Sequence, residues 1–112
     1  MALEHASPRQ AIDLHAHDGL AISTSLLRTD HLQLLRLVLP AGHTLPQHHV
    51  RGDLTLHCLA GEADVATAAG HCSLAPGMLV MLPAGEPHAL RALSDCVVLV
   101  TLTEPGRAAT AT

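Results

Sequence analysis

The chain has 112 residues, a net charge of −4 with histidine neutral, 48% hydrophobic residues and no Phe, Trp or Tyr. That length holds one domain with a core of its own. The lack of aromatic platforms and of any basic stripe excludes nucleic acid as a partner, and no apolar run reaches the roughly 20 residues of a membrane helix.

In chain order, residues 1–10 carry Ser, Pro, Glu and Gln and read as a flexible terminus, with neither the cationic start nor the apolar run of a secretory leader. A domain over 11–103 follows. Ala11–Leu14 reads as a short strand, ended by His15-Ala16-His17-Asp18 and Gly19. His15 and His17 would share a strand face, as metal ligands can, but the segment is near a terminus and has no third ligand nearby, so a polar turn is the better reading. Ile22–Arg28 and His31–Leu39 are strands about the Thr29-Asp30 turn. In the second, Gln33, Leu35, Leu37 and Leu39 fall on one face, with Leu34, Arg36 and Val38 on the other. Its leucine content would suit a helix, but its length and its stop at Pro40-Ala41-Gly42 favour a strand.

Leu54–Ala60, Ala63–Ala68, His71–Leu74, Met78–Leu82, His88–Leu93 and Cys96–Thr103 are further short runs. Gly61-Glu62, Ala69-Gly70, Pro76-Gly77, Pro83-Ala84-Gly85 and Ser94-Asp95 punctuate them. Short strands with closely spaced turns predict an all-β sandwich or barrel. Residues 104–112 are Pro, Gly, Ala and Thr after Glu104 and read as a flexible tail. Cys58, Cys72 and Cys96 have no zinc spacing. They read as reduced and mostly buried, which implies a cytoplasmic protein.

Two stretches carry the functional argument. The first places Gly42, His48, Val50, Leu54 and Gly61 at set intervals, and the second places Gly77, Pro83, Gly85, His88 and Ala92. These intervals resemble the two sequence motifs of the cupin superfamily. The resemblance implies a double-stranded β-helix, the jelly-roll barrel of small RmlC-like, type-2 cupins. It also implies a site in the barrel interior, where cupins hold a metal on imidazoles and a carboxylate. His48 and His88 match the first and last ligand positions. Val50 stands where a second histidine is usual, Leu54 where a glutamate is, and Ala92 where an asparagine is.

A register slipped by one residue would instead bring Gln47, His49 and Asp53 to the ligand positions, at the cost of the spacing from Gly42 and to Gly61. In the first register Leu54, Leu56 and Cys58 face inward, and Thr55 and His57 face outward. His43 precedes the motif in a turn. His5, His31 and His71 read as surface residues, and Glu86 as a loop acid.

Three readings of function remain at this level. One is a binding protein with an apolar pocket of Val50, Leu54, Leu56, Val80 and Leu82, taking a small organic ligand whose polar end meets His48 and His88. One divalent transition metal (iron, manganese, nickel or zinc) would be held weakly there. Another is a metal-dependent cupin enzyme, an oxygenase or isomerase of a small molecule. The third is a structural role through dimerisation. A two-fold homodimer is expected in each case, because a barrel this small carries Leu and Val on its outer faces.

Overall fold

The computed structural model describes residues 5–15 and 23–104, and every regular element among them is a strand. The nine strands are β1 (Thr24–Arg28), β2 (Leu32–Leu39), β3 (Thr44–His48), β4 (Leu54–Ala60), β5 (Ala63–Thr67), β6 (Gly70–Leu74), β7 (Leu79–Leu82), β8 (His88–Ala92) and β9 (Cys96–Thr103). All pairings are antiparallel. They build a five-stranded sheet in the order β1-β2-β9-β4-β7 and a four-stranded sheet in the order β3-β8-β5-β6. The architecture is the expected all-β jelly roll.

The core follows from alternation along the strands. In β4, Leu54, Leu56 and Cys58 are buried and the residues between them are not. Each inward residue continues across the sheet into a row. Leu35, Val100, Leu56 and Val80 are successive partners on β2, β9, β4 and β7. Gln33, Leu102, Leu54 and Leu82 form the next row. The four-stranded sheet contributes Ala63, Val65, Leu74, Leu90 and Ala92 to the same core. The outward row runs Thr24, Arg36, Leu99, His57 and Leu79. Arg36 is only 1% exposed in that row, whereas Leu79 at the β7 end is 56% exposed.

The turn glycines Gly42, Gly61, Gly77 and Gly85 all have positive φ. Gly61 has a second constraint, since a Cβ there would overlap the carbonyl oxygen of Asp95. Gly52 has no unusual φ, yet a Cβ on it would strike the carbonyl oxygen of Thr103.

Four details depart from the sequence reading. Ala11–Leu14 is not a strand. The chain turns at Leu14-His15, where the Asp13 carboxylate accepts the His15 N–H at 2.9 Å, a local bond that competes with strand pairing. Thr44–His48, which carries Pro46, is a strand. It lies at a sheet edge, where a residue without an N–H is tolerated. Cys72 is exposed, while Cys58 and Cys96 are buried. Finally, part of the segment expected to be loose is fastened to β1. Ala6 N–H donates to the Leu26 carbonyl at 2.9 Å, and the His5 ring meets Ser25 Oγ at 2.9 Å.

Candidate functional site

The site begins with an irregularity in β3. Thr44 pairs with Arg91 and Leu45 with Leu90. Regular continuation would bring Gln47 opposite His88. Instead the register shifts between Leu45 and His48, and His48 is the partner of His88. Pro46 lies in the shifted stretch and cannot donate to the ladder, which favours a bulge there. The extra residue thus decides which side chain faces His88.

The two imidazoles are in contact, with ring centroids 4.3 Å apart and planes tilted by 58°. His88 is 3% exposed; His48 is exposed on one side and lines the cavity on the other. Each ring is oriented by a backbone carbonyl two residues earlier. His48 Nδ1 lies 3.1 Å from the Pro46 oxygen, and His88 Nδ1 lies 3.1 Å from the Glu86 oxygen. A carbonyl only accepts, so Nδ1 carries the proton and donates in both rings. In the neutral rings each Nε2 then keeps a free lone pair, the form that accepts a hydrogen bond or binds a metal.

Both rings face a cavity of about 360 Å³ between the sheets. Leu35, Leu37, Leu54, Leu56, Val100 and Leu102 form one wall, from the five-stranded sheet. Leu45, Pro46, Gln47, His48, His88 and Leu90 form the other, and Val50 lies in the connection between β3 and β4. Gln47, His48 and His88 are the polar side chains of this lining. No charged side chain takes part.

The other expected site residues fall as follows. Val50, Leu54 and Leu56 line the cavity, but Val80 and Leu82 do not. They sit in the same rows at the β7 end, where Leu82 is core and Val80 packs against it. His49 is exposed and outside the lining. Asp53 is committed to structure, since its carboxylate accepts the Ala84 N–H at 2.9 Å and its carbonyl accepts from both N and Oγ1 of Thr103 at 2.9 Å. The slipped register is therefore not formed, although Gln47, one of its members, does line the cavity. His57 lies on the outward row. His71 pairs with Asp64 at 2.7 Å on β5 and β6, away from the cavity. The His15–His17 pair cannot be placed, because His17 and Asp18 lie outside the described residues.

Sequence reasoning did not locate the bulge. A proline two residues before the first ligand position was the available signal.

A resident metal is tested by the donors themselves. Among the described residues no three His, Cys, Asp or Glu side chains converge. Two imidazoles and a neutral amide, with Val50 and Leu54 as their neighbours, do not fit a tightly held catalytic metal, which takes three protein ligands. The buried thiols do not help. Burial pushes Cys58 up, and burial followed by the neighbouring Cys58 and Asp95 pushes Cys96 up to about 11, so both stay protonated and poorly nucleophilic.

Comparison with known proteins agrees with this fold. Residues 35–102 match the family model for the cupin domain. No curated protein matches the chain. A conserved protein of unknown function from Streptococcus pyogenes is similar in structure, with a TM-score of 0.76 and 23% identity over 94% of this chain and 96% of that one. A cupin superfamily protein from Desulfitobacterium hafniense gives a TM-score of 0.74 and 20% identity over 92% and 98% of the two chains. A DMSP lyase from Ruegeria pomeroyi gives 0.68 and 28% identity over 73% of this chain and 46% of its own.

Proposed function

This chain belongs to the cupin family, and we propose that it binds a small, largely apolar organic molecule in the cavity between its sheets. The observation that carries the reading is the lining itself: mostly aliphatic side chains, with two imidazoles whose Nε2 atoms can accept a hydrogen bond. Burial of the ligand's apolar surface would supply affinity, at roughly 25 cal/mol per Å². The Nε2 atoms would orient it by accepting a hydrogen bond or by sharing a weakly held divalent ion such as iron, manganese, nickel or zinc.

The remainder of the proposal concerns setting and assembly. The three free cysteines support a cytoplasmic location. A homodimer is supported by the β7 region, where Met78, Leu79 and Met81 are each about half exposed on an edge of the five-stranded sheet.

A second reading, a metal-dependent enzyme acting on a small molecule, has one observation in its favour: both imidazoles give Nδ1–H to a carbonyl, which leaves Nε2 able to bind a metal. The likeness to a DMSP lyase is compatible with it. The two readings separate on metal content. As a binder, the protein loses its metal on dialysis, while Val50→His with Leu54→Glu completes the ligand set and retains about one ion per chain. One tightly held transition metal per chain in the unaltered protein would overturn the binding reading and establish the other.

A further inference from the structure

We propose that a second cavity, beside the apolar one, is an anion subsite, and that the ligand is an aliphatic molecule carrying one carboxylate. The inference rests on the apolar cavity being a binding site. The second cavity has a volume of about 400 Å³ and is lined by Arg28, Arg51 and Glu104 among others. It shares Val50 and Leu102 with the apolar cavity, so one wall borders both.

The charge of this lining is opposite to that of the chain. Only six cationic side chains, all Arg, offset ten acids in the sequence. Two of the six meet in this cavity, against one carboxylate. Arg28 makes a single 3.6 Å contact with Glu104, and both side chains are more than a third exposed, so the pair is easily opened. Among the described residues no carboxylate lies in ion-pair range of Arg51. The excess is one positive charge. It suits a monoanion, whose two oxygens match a guanidinium fork. A dianionic phosphate would leave negative charge uncompensated.

The backbone that carries the arginine is also held in place. Arg51 lies on a short connection clamped at both ends. The Val50 carbonyl accepts the Gly85 N–H at 2.8 Å, and the Asp53 carbonyl accepts the Thr103 N–H at 2.9 Å. Gly52 between them packs against the Thr103 backbone with no room for a side chain. Binding there orders the arginine side chains but not the backbone beneath Arg51.

Octanoate and octanol serve as matched probes, compared by titration calorimetry with proteins whose thermal melts show them folded. The proposal predicts that octanoate binds about tenfold more tightly than octanol. This advantage should shrink at about 1 M salt, where screening reaches ~3 Å. Arg51→Gln removes the advantage and leaves octanol unchanged, while Leu56→Trp, which fills the apolar cavity, abolishes both. Equal affinity for the two probes, or an octanoate preference that survives Arg51→Gln, overturns the anion subsite and leaves the apolar site standing. Failure of both probes to bind overturns the site and the inference together.

Discussion

His48 and His88 have the same arrangement: an Nδ1–H given to a carbonyl and an Nε2 turned to use. That symmetry makes them interchangeable in one respect. If they act together on a weakly bound ion, His48→Ala and His88→Ala should each lower its affinity by tenfold or more. His49→Ala and His57→Ala should leave it unchanged, as equilibrium dialysis against zinc would show. A loss in His57→Ala equal to that in His88→Ala would contradict the assignment of inner and outer faces.

A second residue-scale prediction concerns Cys96. Its folded pKa of about 11 lies above the ordinary 9.0, because burial, helped by Cys58 and Asp95, disfavours the thiolate. Below pH 9 the thiol is protonated in both the folded and the unfolded chain. Between about 9 and 11 the unfolded chain loses the proton first, so stability falls as pH rises through that window. The full effect is on the order of 2 kcal/mol. Chemical unfolding of Cys96→Ala, compared with the parent at pH 8 and pH 10.5, should show a smaller fall.

At the scale of elements, the bulge of β3 and the clamped connection after it do most of the positioning. Gly52 is the tightest point, since any Cβ there meets the Thr103 carbonyl at the end of β9. Gly52→Ala should destabilise by about 2–3 kcal/mol, the usual cost of forcing atoms into a packed site, measured as a lower denaturant midpoint. Gly42→Ala is a useful contrast: its Cβ would meet nothing within 4 Å, so the strain of its φ of 81° alone should act, at about 1–2 kcal/mol.

Strands with regular alternation were legible in the sequence. Leu54–Ala60 and Cys96–Thr103 have the predicted limits because apolar residues, flanking turns and length all agree. The β3 strand was not legible. Its proline and its polar residues make no alternating pattern, and it exists because β8 offers it a partner.

At the scale of the molecule, the outward face of the five-stranded sheet is covered near β2 and bare near β7. Arg36 and Leu99 are buried there, while Leu79 and Met81 are 56% and 57% exposed. A dimer that covers the bare edge is the expected assembly. Light scattering at micromolar concentration should give twice the chain mass, and Met81→Glu should shift the population to monomer, since a charge buried at such an interface lacks a partner. A monomer in the parent protein at that concentration would refute it.

The sequence by itself determined the strand alternation, the positive-φ corners at Gly42, Gly61, Gly77 and Gly85, and the two cupin intervals, because each depends on neighbours within a few residues. It also settled that Val50 and Leu54 cannot ligate a metal, which is a matter of side-chain chemistry alone. Only the tertiary structure decided between the two registers, since a one-residue bulge against β8 puts His48 rather than Gln47 opposite His88 and leaves His49 exposed. It alone showed that Asp53 is spent on the Ala84 and Thr103 amides, that Val80 and Leu82 fall beyond the cavity, and that Arg28 and Arg51, far apart in the chain, line one pocket. These outcomes depend on which strands become neighbours, and strand neighbours are chosen by packing between distant segments rather than by local sequence.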